Sequence, residues 1–149
     1  MPTLFDPQTR SALLNRLSAL HPDTERRWGK MTPPQMVAHC NAALKMALGD
    51  LHIPPKKMIV SNPVIRYLFI HWLPTPKNLP TARELKHEPP APLDLEAAKS
   101  EMRELLERFG RSSPDGRWPV HPAFGALDGR TWGVQQCGHI EHHFKQFGI

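Results

Sequence analysis

Three segments of this chain open with a helix-capping residue followed at once by proline and then a helix-forming run: Asp6-Pro7, Thr32-Pro33 and Asn62-Pro63. Each pair marks a helix start. The capping side chain accepts a backbone N–H that the first turn leaves unpaired, and proline fits the first helical position, where its missing N–H costs nothing. Thr32 is followed three residues later by Gln35, the spacing of a reciprocal capping box. Asp94 and Asp128 supply two further caps. No stretch alternates apolar and polar residues long enough to make a useful strand, and there is no internal repeat. A chain with five fixed helix starts and no strand pattern is confined to an all-α fold.

The spacing of apolar residues fills in the helices. Leu13, Leu14, Leu17 and Leu20 recur at helical spacing after Asp6 and predict a helix that stops near His21-Pro22. From Thr32, alanine, leucine and methionine carry a second helix to Gly49, a residue suited to the left-handed position just past a helix end. Asn62-Pro63 opens a short helix reaching about Trp72, inside a proline-rich middle (residues 53–92) whose remainder reads as extended. The stretch after Asp94 is strongly amphipathic. Its core face is Leu95, Ala98, Met102, Leu105 and Phe109, with Gly110 as its stop. A turn-rich loop, RSSPDGRWPVHPAFG, leads to a last helix between Asp128 and Gly148. Four long helices and a short one predict a four-helix bundle, built as one domain over residues 1–149.

The last helix carries the chemistry. GHIEHHFKQFG places three of the chain's nine histidines within five positions. His139 and His143 are four apart and share one face with Trp132, Gln136 and Phe147, the face that should meet the core. His142 points about 100° away. On the second helix His39 interrupts the apolar stripe Met36, Ala43, Met46, with Ala42 beside it leaving room. A buried imidazole needs partners for both nitrogens, and a metal ion satisfies several rings at once. An H-x-x-x-H pair alone fits two separately satisfied core histidines equally well. A third inward histidine on a facing helix favours a site of three imidazoles with open positions for water or substrate. Imidazole suits zinc, nickel, iron and copper alike. Other motifs are excluded. Glu141 is misplaced for H-E-x-x-H, no P-C-x-x-C follows HIE, and no phosphate loop or nucleophile elbow is present.

Charge and cysteine usage bound the partners. Of the net charge of +5, the whole excess lies between Leu51 and His87, where Lys56, Lys57, Arg66, Lys77, Arg83 and Lys86 face one acid, Glu84. These cations are scattered among prolines without the interleaved aromatics of single-strand binders, so neither nucleic acid nor membrane is expected as a partner. A solvated loop and a cover that holds an anionic ligand are both compatible with that segment. Cys40 and Cys137 sit in unrelated contexts and read as small core residues of a reduced, cytoplasmic protein, with no apolar leader at the N-terminus. Trp28, Trp72, Trp118 and Trp132 read as anchors of the core and its loops.

RWGKMTPPQMVAHCNAALKMALGD, PKNLPTAREL and HPAFGALDGRTWGVQQCGHIEHHFKQFG together resemble the DUF1569 branch of the DinB/YfiT-like superfamily of four-helix bundles, which ends in H-x-x-H-H-x-x-Q. The resemblance reaches most of the chain. It implies a divalent transition metal (zinc or nickel first, iron next) held by His39, His139 and His143. Relatives with known activity are transferases of low-molecular-weight thiols and a maleylpyruvate isomerase. The resemblance therefore implies a metal-dependent thiol S-transferase acting on small electrophiles, and, weakly, a homodimer. Metal-assisted hydrolysis at the same site and a non-catalytic bundle that binds a partner stand as alternatives. His121 and Gln146 are the candidate catalytic residues. His121 would orient a ligand, carry a proton, or fix a turn. Gln146 would support the site from behind or face outward.

Overall fold

A computed structural model describes residues 1–56, 58–73 and 93–149. The extended reading of residues 74–92, and the cations Lys57, Lys77, Arg83 and Lys86, lie outside the described residues. Five α-helices are found among those described: α1 (Pro7–Ser18), α2 (Pro33–Ala47), α3 (Pro63–His71), α4 (Leu95–Arg111) and α5 (Gly129–Phe147). The protein is mainly helical.

Every anticipated cap is made. Asp6 accepts the backbone N–H groups of Gln8 and Thr9, and Asn62 those of Val64 and Ile65. Asp94 accepts from Glu96 and Ala97, and Asp128 accepts the N–H of Thr131 at 2.7 Å. Thr32 and Gln35 form the reciprocal box. α2 is the central element. It packs against α4 on one side and α5 on the other, while α1 closes over α4 and α5. Nearly every α2 residue from Met36 to Ala47 is buried, which explains why alanines and methionines, with few charges, build it. Phe109, Trp132, Phe144, Leu44 and Met102 are fully buried at the centre. Phe5 and Trp118 stack around Phe109 with ring centroids 5.1 Å away in each case.

Three sequence expectations change in detail. α1 ends at Ser18, ahead of His21-Pro22. The amine of Lys99, buried on α4, then reaches across to the carbonyl of Leu20 at 2.6 Å. Gly110 does not stop α4, which runs to Arg111 and caps on Ser112. A Cβ at Gly110 would strike the guanidinium of Arg10, which donates to the carbonyl of Leu4 at 2.7 Å, so the glycine makes room for that arginine. The loop before α5 also contains a minimal antiparallel pair, Val120–His121 against Gly125–Ala126. It is too short to leave an alternating pattern.

Gly129, the first residue of α5, is buried against that loop. A Cβ there would collide with the indole nitrogen of Trp118 and with the carbonyl oxygen and Cα of Pro114. Backbone cannot yield as a flexible side chain can. Gly129→Ala is expected to lower stability by about 1–3 kcal/mol, read from the urea midpoint, although alanine is the better helix former.

Candidate metal centre

α2 and α5 meet at three imidazoles. His39 lies mid-helix in α2 and is 5% exposed; His143 is 7% exposed, and His139, one turn before it, is half-buried. The ring centroids form a nearly equilateral triangle with sides of 4.9, 4.8 and 4.8 Å. Nε2 of His39 and Nε2 of His139 are 3.0 Å apart. One ligand atom from each residue falls within 4.8 Å of the others, and no further histidine, cysteine or carboxylate joins this group among the described residues. Two nitrogens bound at roughly 2.0–2.1 Å to one tetrahedral ion sit about 3.4 Å apart. The His39–His139 pair, at 3.0 Å, is slightly closer than that, and the ligand atom of His143 lies within 4.8 Å of both.

The electrostatics suit a cation. Burial pushes His143 down to about 4, and the neighbouring His39 pushes the same way, against the opposing hydrogen bond from Gln146. His139 is held well below the ordinary histidine range, first by burial, then by His143, His39, His142 and His121. At neutral pH His139 and His143 are therefore uncharged, the form that binds metal. Two facing lone pairs 3.0 Å apart repel unless a proton or a metal ion lies between them. Nδ1 of His139 is inaccessible to solvent and has no partner. The cluster thus has the donor chemistry and the protonation state that a bound transition metal requires.

Gln146 sits behind the cluster. Its amide nitrogen donates to the carbonyl of Trp28 at 2.9 Å, which turns Oε1 toward His143, where Nδ1 is 2.9 Å away. Nδ1 therefore carries the proton and Nε2 keeps its lone pair. The backbone carbonyl of Gln146 also accepts the N–H of Arg27 at 2.7 Å, so the loop before α2 is latched to the end of α5. The ring of His142 turns to Trp28, 5.7 Å between centroids. The amide and its distance from His143 could be anticipated from the three-residue spacing. The carbonyl of Trp28 left no signal, because any residue type offers a carbonyl.

His121 is buried in the short hairpin. Its Nδ1 accepts the backbone N–H groups of Ala123 and Phe124, each at 3.1 Å, so this ring fixes the turn and carries its proton on Nε2. It packs between Phe124 and Trp132, at 4.6 and 5.0 Å. Burial lowers its pKa to about 4. The hairpin is braced from the basic segment. Arg66 donates to the carbonyls of Phe124 and Ala126 at 3.0 and 2.9 Å, and Ser61 to that of Ala123 at 2.7 Å. Arg66 is thus committed to internal carbonyls. Both thiols are free and buried, and burial pushes them up, Cys137 to about 11. Neither is a thiolate at neutral pH.

These features define a mainly helical protein whose interior joins two helices through a three-histidine cluster able to accept a metal ion. A family profile described as "Protein of unknown function (DUF1569)" matches residues 6–148, and the chain belongs to that family. No curated protein and no solved structure matches it. No helix among the described residues is long and apolar enough to cross a membrane.

Proposed function

We propose that this chain is a metal-dependent enzyme of the DinB type, its four long helices forming a four-helix bundle around a zinc, nickel or iron ion held by His39, His139 and His143. The observation that carries the reading is the convergence of three imidazoles from α2 and α5 onto one point, with His139 and His143 held neutral by burial. When bound, such an ion lowers the pKa of a coordinated thiol as it does that of water. The reaction that fits is transfer of a low-molecular-weight thiol to a small electrophile. The thiol gives up its proton to solvent, sulfur forms a bond to the electrophilic carbon, and the leaving group departs with its electron pair.

The chain's own residues have separate parts in this scheme. Gln146, fixed by the carbonyl of Trp28, holds the Nδ1 proton of His143 and so aims its Nε2. His121, with its proton on Nε2, is suited to donate a hydrogen bond to an anionic or carbonyl oxygen of the substrate. Trp132 and Phe124, packed on His121, hold that ring in place and exclude water around it. A cytoplasmic location, a single domain and pairing into a homodimer belong to the same proposal.

The test is to load the untagged protein with cobalt and add thiols of increasing charge. A shift in the cobalt absorption at stoichiometric thiol supports the transferase. Unchanged absorption together with ester or amide cleavage supports metal-assisted hydrolysis at the same site. One observation favours a non-catalytic, partner-binding role: Val64, Tyr67, Leu68 and Trp72 form an exposed apolar stripe along α3, with Trp72 73% exposed. Protein that takes up no metal after supplementation would decide for that role.

A further inference from the structure

The two α5 histidines are not equally supported. Nδ1 of His143 is held by Gln146, three residues on, and the amide nitrogen of that glutamine is anchored on the Trp28 carbonyl. Nδ1 of His139 is buried without a partner. Three residues before it stands Gln136, 1% exposed, on the same inward stripe. The amide nitrogen of Gln136 is likewise anchored, on Oε1 of Gln135 at 2.9 Å, and its Oε1 is buried without a partner. Among the described residues the one other buried side-chain N or O atom lacking a partner is Asn41 Oδ1, on a side chain that faces α4 through Ala98 and Glu101. So two of the three unsatisfied atoms lie one helical turn apart on α5. One is an acceptor. The other becomes a donor when Nε2 of the same ring gives its lone pair to a metal.

Residues three apart on a helix have Cβ atoms about 5–6 Å apart, within reach of a glutamine side chain or of one bridging water. We propose that Gln136 is the positioning residue of His139. Its Oε1 accepts the Nδ1–H of that ring, directly or through one water, and so holds Nε2 toward His39 and the metal. The arrangement would repeat, on the N-terminal side of the cluster, what Gln146 does for His143. The proposal rests on the metal reading above and adds a residue to it.

Zinc titrations against a competing chromophoric chelator test it, on wild type, Gln136→Leu and Gln136→Glu. The leucine variant, of similar size with no acceptor, is expected to bind zinc about 10–100-fold more weakly. The glutamate variant restores an acceptor and should bind within about threefold of wild type or more tightly. Long-range proton–nitrogen spectra of zinc-loaded wild type give an independent readout, with the His139 proton on Nδ1 and protected from exchange. A Gln136→Leu protein with wild-type affinity overturns the proposal and leaves the metal reading standing. If that variant does not fold, the wild-type spectrum decides, and a His139 ring with no proton on Nδ1 overturns it. Wild type that binds no zinc overturns both.

Discussion

Untagged His39→Ala protein, purified after zinc supplementation, is expected to hold less than ~0.1 equivalent of metal where wild type holds close to one. The size of the effect follows from ligand count. Three-histidine sites draw their affinity from three short bonds, so loss of one removes roughly a third of ~10 kcal/mol, on the order of 10²–10³-fold in Kd. The two α5 imidazoles that remain offer an i,i+4 pair only. The fold should tolerate the change. Alanine has the highest helix propensity, and the substitution removes one of three imidazoles crowded into a buried space. The small cavity left beside Ala42 and Ala43 and the relief of that crowding oppose each other, so metal-free stability should move by no more than about 1–2 kcal/mol. Elemental analysis and circular dichroism read the two halves separately. Wild-type metal content in the variant would remove His39 from the site. Global unfolding would make it a structural residue.

The reach of the sequence differs with the range of the interaction. Caps are local chemistry, and Asp6, Thr32, Asn62, Asp94 and Asp128 all cap where their side chains said they would. The α4 core face was legible for the same reason, since a 3.6-residue period needs no partner to be visible. Within α5, the shared face of His139 and His143 followed from spacing alone. The approach of α2 to α5 did not. It depends on how two buried surfaces nest, and only the interruption of both apolar stripes by histidine, together with the family resemblance, hinted at it. Gly110 was misread because a glycine near a helix end looks the same whether it terminates the helix or admits Arg10. Arg66 counted toward a positive patch, yet its guanidinium is spent on two backbone carbonyls, acceptors that leave no trace in composition. That His121 fixes a turn is one of the readings the HPAFG stretch allows; the strand pair it closes is not legible, because two residues a side leave no alternation.

Metal-free protein should lose stability steeply as pH falls from about 6.5 to about 4, and His139, held well below the ordinary histidine range, extends the fall to lower pH. His121 and His143 are both pushed down to about 4 from an ordinary value of 6.5, in each case mainly by burial. A histidine whose folded pKa lies below its unfolded one is protonated first in the unfolded chain. Between the two values the unfolded state binds more protons, so acid favours it; above about 6.5 neither state is charged, and the full stability is present. Each ring corresponds to about 3 kcal/mol across that window. The two together approach the whole net stability of a domain this size, on the order of 5–15 kcal/mol. The carboxylates held low by hydrogen bonds, Asp50 and Asp128, titrate below their ordinary 3.8 and act in a separate, more acidic window. Urea midpoints measured from pH 7.5 to 4 on chelator-treated protein give the curve. His121→Asn separates the contributions. The asparagine oxygen can accept the hairpin N–H groups as an Asx turn does and cannot take a proton, so the variant should lose about a third of the acid-dependent fall that His121, His139 and His143 share, while keeping its neutral-pH midpoint within about 1 kcal/mol. A midpoint that stays flat from pH 7 to 4 in wild type would mean the imidazoles meet water, and the case for a buried donor cluster would go with it.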